Sequence, residues 1–194
     1  ILLGIAAYGP GALNAQKFEP PAPDPALTSL FGEPAAPLSF EARDFHGPED
    51  LEIGPDGRLY ASLADGRIMA RDLEGGWSEF ANTGGRPLGL AFAPDGALFV
   101  ADALRGLLRL GDDGFQVWMA DESEGGPLVF TDDLTVLEDG SIILTDASRR
   151  WGYGEYMTSF LEGEQTGIVY RVTAPGEYEA IADGFAFING VDHD

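Results

Sequence analysis

The sequence contains no cysteine, which excludes a disulfide framework, a thiolate nucleophile and a zinc site built on thiolates. Basic residues are scarce, because 11 Lys and Arg stand against 33 Asp and Glu and give a formal net charge of −22. Nucleic acids and anionic lipid surfaces are bound by clustered basic side chains. Neither is therefore expected as a partner of this chain.

The composition that remains is that of a folded, strand-rich protein. Hydrophobic residues make up 44% and aromatic residues 11% of the 194 positions, which is enough apolar material to form a buried core. The 27 glycines and 13 prolines separate short apolar runs, a pattern that indicates strands and turns and disfavours long helices.

The N-terminal part differs from the rest of the chain. Residues 1–17 begin with the uncharged run ILLGIAAYGPGAL, which is shorter than the roughly 20 apolar residues of a membrane-spanning helix. We interpret it as the remnant of a signal peptide or membrane anchor, the alternative being a disordered or locally packed terminus. Residues 18–37 are rich in proline and predict an extended tether. This interpretation predicts export to the periplasm or the extracellular space.

The body of the chain, residues 38–194, contains a repeat. The segments DLEIGPDGRLYAS, GLAFAPDGALFVAD and DLTVLEDGSIILTD share an apolar strand, an Asp-Gly turn and a second apolar strand, with turn aspartates at Asp56, Asp95 and Asp139. A strand repeat with a period near 40 residues is typical of four-stranded propeller blades. We therefore predict an all-β fold with blades at about 46–82, 86–120 and 130–183.

The number of repeats is smaller than a closed propeller needs. A fourth unit begins at 187–194 and a lone strand is predicted at 36–45, yet a ring takes roughly four to eight blades. Either the sequence is the front part of a longer propeller, or identical chains complete a ring together. The oligomeric state is left open by the sequence.

Aligning the repeats on their turn aspartates brings oxygen-bearing side chains to one position. Glu49, Leu88 and Asp132 lie seven residues before the three aspartates, and Asn189 takes this position in the fourth unit. The position is the mouth of each innermost strand, so these side chains can converge on the central channel. Calcium takes 6–8 oxygen ligands, and such a metal would act as a Lewis acid. The alternative is a set of polar strand ends capped by solvent.

Other candidates surround this mouth. His193 and His46 are candidate general bases near neutral pH, although each can also be a solvated loop residue. Arg149, Arg150 and Trp151 open an insertion, predicted as a short helix or cap, and are candidates for binding a substrate carboxylate. Their alternative is structural pairing with the many acidic residues.

Two more residues at the mouth are assigned structural roles. Arg86, in TGGRPLG, is interpreted as a residue that joins two blades. Asp133 is expected to bond to backbone rather than to a metal.

Several short strings give the chain a family resemblance. They are GPEDL, DGRIMA, TGGRPLGL, ADALRGLLRL, FTDDL, TDASRRW and FINGV, in this order between Gly47 and Val191. Together they resemble the strictosidine-synthase-like family, six-bladed propellers related to the gluconolactonase/regucalcin and paraoxonase groups. Bacterial members typically carry an apolar N-terminal anchor and a proline-rich tether, which residues 1–37 resemble.

The resemblance implies a metal site and an activity. Metal-dependent relatives hold calcium on the channel axis through Glu, Asn and Asp residues, and the matching positions here are Glu49, Asp132 and Asn189. The implied function is calcium-dependent hydrolysis of lactones or aryl esters, with a small-molecule substrate. Two alternatives stay open: a metal-free condensing enzyme like strictosidine synthase, and a non-catalytic propeller that serves as a binding platform.

Overall fold

Three four-stranded antiparallel sheets make up the part of the chain that the computed structural model describes, residues 22, 45–122 and 125–193. Each sheet consists of four consecutive strands, as a propeller blade does. The first contains β1 (Leu51–Ile53), β2 (Leu59–Ser62), β3 (Arg67–Arg71) and β4 (Trp77–Asn82). The second contains β5 (Pro87–Phe92), β6 (Leu98–Asp102), β7 (Gly106–Gly111) and β8 (Gly114–Ala120). The third contains β9 (Thr131–Val136), β10 (Ile142–Asp146), β11 (Gly167–Ala174) and β12 (Glu177–Phe185).

The predicted Asp-Gly turns join the first two strands of every blade. In each turn the aspartate accepts a hydrogen bond from the backbone N–H two residues later, for example from Arg58 to Asp56 at 3.0 Å and from Ser141 to Asp139 at 2.9 Å. The glycine that follows has positive φ, 76° at Gly57 and 80° at Gly140. Glycine adopts this conformation without steric cost, which explains why Asp-Gly recurs at the first turn of every blade.

The hydrophobic core lies between blades. One cluster joins Tyr60 and Ile68 of the first blade to Leu98 and Val100 of the second. Another joins side chains of the second and third blades, namely Phe99, Leu107, Met119, Leu134, Ile142, Leu144 and Tyr170. Since β2, β6 and β10 are buried on both faces, their sequences are nearly continuous apolar runs rather than alternating ones.

The first strand of each blade lies innermost, next to its counterparts. Strand β5 packs against both β1 and β9. Asp50 Oδ2 accepts a hydrogen bond from Leu90 N at 2.7 Å, and Asp133 Oδ2 accepts one from Val191 N at 2.8 Å. Asp133 therefore bonds to backbone, as the sequence indicated. A Cβ at Gly89 would lie 2.4 Å from Asp133 Oδ1, so the blades approach closely here.

The insertion of the third blade contains the predicted short helix. Helix α1 (Tyr156–Glu162) ends at Gly163, which adopts the left-handed conformation of a C-terminal cap. Residues 187–193, where a fourth blade was predicted to begin, form no strand and connect to β9 through the Val191–Asp133 hydrogen bond.

The predicted N-terminal anchor lies outside the described residues, as do all but one residue of the tether and of the strand at 36–45. No helix in the described ranges is both long and apolar enough to cross a bilayer.

Candidate functional site

Glu49 and Asp132 meet at the mouth of the channel. Asp132, in β9, is only 5% exposed, whereas Glu49 precedes β1 and is exposed. Burial, the Glu49 carboxylate and the Asp133 carboxylate together raise the pKa of Asp132 to about 7. Partial loss of hydration and the neighbouring acids Asp50 and Asp133 also raise the pKa of Glu49. The carboxylate of Glu49 thus lies near enough to disfavour ionisation of the buried Asp132.

The other two mouth positions are occupied differently. Leu88 is buried in an apolar cluster and offers no ligand atom. Asn189 is exposed and stands directly before Gly190, where an added Cβ would lie 3.6 Å from Asp133 Oδ2. Because Val191 N bonds to Asp133 as Leu90 N bonds to Asp50, Asn189 lies in register with the other mouth residues.

The mouth fits a calcium ion in its chemistry. Asp132 Oδ2 is buried and has no hydrogen-bond partner in the described part of the chain, and such an atom calls for a cation, a proton or water. The candidate ligands Glu49, Asp132 and Asn189 present oxygen atoms, which calcium prefers. No three His, Asp or Glu side chains within the described ranges are grouped closely enough to hold a metal on their own. The amide of Asn189 and water would therefore have to complete the shell.

Arg86 is the positive charge at this mouth. It is 8% exposed, and its Nη1 donates to Gly47 O at 2.9 Å across the first and second blades. This contact agrees with its predicted role between blades. Its guanidinium opposes the rise in pKa of both Glu49 and Asp132, so it lies close to both carboxylates. Its Nε is buried and has no hydrogen-bond partner among the described residues.

A group of five aromatic side chains, here called the aromatic wall, borders the same mouth. The ring centroids of Phe130 and Phe187 are 5.2 Å apart, and those of Phe187 and Phe160 are 4.4 Å apart. Tyr153 and Tyr156 complete the wall, and the Arg86 guanidinium lies 5.8 Å from the centroid of Tyr153. Two of these rings belong to helix α1, so the insertion supplies much of the apolar surface beside the two carboxylates.

A carboxylate holds the insertion in place. Glu164 Oε1 accepts hydrogen bonds from the hydroxyls of Ser148 at 2.6 Å, Ser159 at 3.1 Å and Thr166 at 3.2 Å. Ser148 Oγ in turn accepts the backbone N–H of Trp151 at 3.0 Å. The two ends of the insertion are thereby tied to each other and to helix α1.

Two of the predicted substrate-binding residues in this insertion are engaged internally. Arg150 forms a 2.9 Å ion pair with Glu162, and Trp151 Nε1 donates to the same carboxylate at 3.2 Å. This corresponds to the structural alternative. Arg149 is exposed, and its role in binding substrate stays a prediction.

His193 lies away from Asp132. His193 Nδ1 is 2.8 Å from Thr135 Oγ1 and lines a cavity of about 390 Å³ with Asp50, Glu52 and Asp133. Thr135 is three residues beyond Asp132 in the same strand, which corresponds to about 10 Å. His46 is exposed. The role of His193 as a base stays a prediction, and its position favours the channel interior over the mouth.

The aromatic wall was missed in the sequence. Its members are spread over three segments, and no periodic pattern connects them. One signal was present: Arg86, Phe130 and Phe187 occupy equivalent places, three residues before Gly89, Asp133 and Gly190. Phe187 is also the one non-glycine residue with positive φ, 50°, in the described ranges. Strain of this kind often accompanies a functional constraint.

Comparisons with known proteins agree with the geometry. Residues 41–71 match the family model "Strictosidine synthase-like, N-terminal", and residues 132–193 match the model "Strictosidine synthase". Protein STRICTOSIDINE SYNTHASE-LIKE 13 of Arabidopsis thaliana is 35% identical over 176 residues, covering 75% of this chain and 44% of that protein. The adipocyte plasma membrane-associated protein of Homo sapiens is 34% identical over 166 residues, covering 75% of this chain and 39% of that protein. The chain thus spans less than half the length of these relatives.

Solved structures share the fold. A putative gluconolactonase superposes with a TM-score of 0.56 at 22% identity, covering 73% of this chain and 50% of that chain. XC5397 of Xanthomonas campestris, described as a gluconolactonase, gives a TM-score of 0.54 at 19% identity, covering 70% and 47%. At these identities the likeness establishes the fold, and the three sheets are blades of this propeller type.

Proposed function

Because the chain belongs to the strictosidine-synthase-like family, we propose that it is part of a calcium-dependent hydrolase of lactones or aryl esters. The proposal places the metal at the channel mouth, on Glu49, Asp132 and Asn189. It names a small-molecule substrate whose apolar part lies against the aromatic wall.

One observation carries the proposal. Asp132 Oδ2 is buried without a partner in the described part of the chain, and the neighbouring Glu49 adds a second negative charge. Burying a charged carboxylate beside a second negative charge is costly unless a cation or proton compensates for it. A divalent ion at this point removes the repulsion and satisfies the free oxygen.

The residues around the ion have separable roles. A calcium ion bound here supplies a Lewis acid that polarises the carbonyl oxygen of an ester or lactone. Asp132 and Glu49 fix its position, and Asn189 adds a neutral oxygen. The aromatic wall orients the apolar part of the substrate and excludes water from its face. We assign no proton transfer at the mouth to His193, since its ring lies at Thr135, about 10 Å along β9 from Asp132.

Hydrolysis assays on the chain and on its complete parent protein test this function. We expect phenyl acetate or an aliphatic lactone to be hydrolysed, the activity to disappear in excess EDTA, and added calcium to restore it. Asp132→Ala is expected to lower kcat/KM at least a hundredfold, whereas Asp112→Ala, in the exposed β7–β8 turn, serves as the matched control. Full activity in EDTA would contradict the metal role. Absence of activity with every ester and lactone would favour the binding platform.

The proposed location follows from the N-terminal sequence. We propose an exported protein, periplasmic or extracellular, held at a membrane by residues 1–17 and the tether at 18–37. The adipocyte plasma membrane-associated proteins among its relatives carry membrane association in their name. Cell fractionation of the parent protein tests this, because recovery in the cytosolic fraction contradicts export.

A further inference from the structure

Arg86 has more hydrogen-bonding capacity than the blades use. A guanidinium offers five N–H donors in a planar fork. Within the described residues, the side chain of Arg86 makes one hydrogen bond, to Gly47 O, and one contact with the ring of Tyr153. Its Nε is buried without a partner there, although the residue is 8% exposed. The guanidinium thus has donors that the contact between the two blades does not use.

Arg86 differs from several other arginines because it forms no ion pair with a carboxylate among the described residues. Several of the other arginines are already engaged with carboxylates, as in the pairs of Arg58 with Asp56, Arg109 with Asp95 and Arg171 with Asp139. No such ion pair joins Arg86 to a carboxylate in the described ranges, although Glu49 and Asp132 lie near enough to feel its charge. Arg86 is therefore a positive group poised beside the proposed metal site.

The neighbourhood of Arg86 is apolar on one side. The residues that occupy the equivalent position in the third and fourth units are Phe130 and Phe187, which form the centre of the aromatic wall. Tyr153 connects this wall to Arg86. In the first unit the equivalent residue is Gly47, whose carbonyl oxygen accepts the hydrogen bond from Arg86. A molecule at the mouth would thus meet a planar cation beside aromatic faces.

We infer that Arg86 receives the carboxylate of an aromatic or similarly apolar carboxylic acid, either carried by the substrate or formed by hydrolysis. This inference rests on the proposed function for the source of the acid, but the anion site itself requires no catalysis. The planar guanidinium matches a carboxylate in geometry and charge, and the aromatic wall holds the ring. The positive charge of Arg86 would offset part of the repulsion that Glu49, Asp132 and Asp133 exert on an anion.

Binding of phenylacetate, with neutral phenylacetamide as the matched probe, tests the inference. The affinities are measured by NMR titration for the unmodified chain, Arg86→Gln, Arg86→Lys and the control Arg171→Gln. Arg171 pairs with Asp139 in the β9–β10 turn, at the opposite end of β9 from Asp132. Each comparison is made once with calcium and once in EDTA, so that an arginine effect is separated from carboxylate binding to the metal.

We expect Arg86→Gln to weaken phenylacetate binding at least tenfold and to leave phenylacetamide binding within twofold. Arg86→Lys should retain part of the phenylacetate affinity, since it keeps the charge but loses the fork, and Arg171→Gln should match the unmodified chain. If Arg86→Gln unfolds, the Lys variant still decides, because phenylacetate affinity equal to that of the unmodified chain overturns the inference. Equal binding of phenylacetate and phenylacetamide by the unmodified chain also overturns it.

The two proposals fail separately. Arginine-dependent phenylacetate binding by a chain that hydrolyses no ester refutes the hydrolase and leaves the anion site standing. If hydrolysis depends on calcium but the Arg86 variants bind phenylacetate as tightly as the unmodified chain, the anion site is refuted and the hydrolase is not.

Discussion

Asp132 and Asp146 are both buried carboxylates of the third blade, but their surroundings differ. Asp146 Oδ1 accepts the backbone N–H groups of Phe130 at 2.7 Å and Val129 at 3.1 Å. Burial raises the pKa of Asp146 to about 6, and these two hydrogen bonds limit the rise. Burial, followed by the charge of Glu49, raises the pKa of Asp132 to about 7. The Oδ2 atoms of both carboxylates are buried without a partner among the described residues, so the two sites differ in the backbone hydrogen bonds to Asp146 and in the charge of Glu49 beside Asp132. We assign a structural role to Asp146 and a metal role to Asp132 on this difference.

The raised pKa of Asp146 predicts a defined pH dependence. The folded chain binds this proton more tightly than the unfolded chain, so the stabilising contribution is full below about pH 4 and is lost as the pH rises to about 6. Asp146→Asn carries no titrating group and should remove this loss. We expect it to stabilise the chain at pH 7 by about 2 kcal/mol and to change little at pH 4. Thermal melts in EDTA across this range provide the measurement.

Asp139→Asn is the control, because its effect on the stability at pH 7 is expected to have the opposite sign. Hydrogen bonds from Ser141, together with the nearby Arg171, lower the pKa of Asp139. Its ionised form therefore stabilises the fold above about pH 4, and that contribution falls as the pH drops through its lowered pKa. The Asn variant should lose stability at pH 7. A gain in stability for both variants at pH 7 would contradict the assignment for Asp146.

At the scale of strands, the close approach of β5 to β9 makes Gly89 a sensitive position. An added Cβ would lie 2.4 Å from Asp133 Oδ1 and 2.9 Å from Asp133 Cα, and the Cα is backbone that cannot rotate away. Gly89→Ala is expected to lower the free energy of unfolding by about 1–3 kcal/mol. The matched control is Gly154→Ala, where no atom lies within 4 Å of the added Cβ. Equal melting temperatures for the two variants would show that the blades have room to separate.

Local patterns predicted the strands better than they predicted the contacts between them. The Asp-Gly turns at 56–57, 95–96 and 139–140 predicted the first hairpin of every blade. Asp-Gly readily adopts the positive φ that tight hairpin turns need. The order of strands in each blade followed from that repeat. Helix α1 was indicated only as a possibility, since seven residues carry a weak periodic signal.

The candidate site was predictable in part. Alignment on the turns placed Glu49, Asp132 and Asn189 in one register, because equivalent positions of a repeat occupy equivalent places in space, and their role as metal ligands stays a prediction. The contact of Arg86 with Tyr153 and the meeting of Phe130, Phe160 and Phe187 depend on how the insertion folds back over the mouth. The spacing of residues in the sequence does not indicate how the insertion folds back over the mouth. Long-range packing, not local propensity, determined those contacts.

At the scale of the whole molecule, the first and third blades each present apolar residues outward. Leu51 is 60% and Ile53 70% exposed in β1, while Tyr178, Ile181 and Phe185 are exposed in β12. Propeller blades normally bury such faces against a neighbour, and exposed apolar patches promote association.

We therefore expect the isolated 194-residue chain to self-associate. Light scattering coupled to size exclusion, between about 5 and 200 μM, should show a molar mass that rises above 20.6 kDa with concentration. Leu51→Lys combined with Ile53→Lys should reduce the association. A constant monomeric mass over the whole range would mean that the two faces are stable in water.

Calcium-dependent stabilisation is the decisive measurement for the metal site. A ligand that binds only the folded state raises the melting temperature by mass action, so thermal melts of the parent protein are compared in EDTA and in millimolar calcium. We expect a rise of several degrees with calcium, which Asp132→Ala abolishes for the most part and Asp112→Ala leaves intact. A melting temperature that calcium leaves unchanged, or a full calcium shift in Asp132→Ala, would contradict the metal site at Glu49, Asp132 and Asn189.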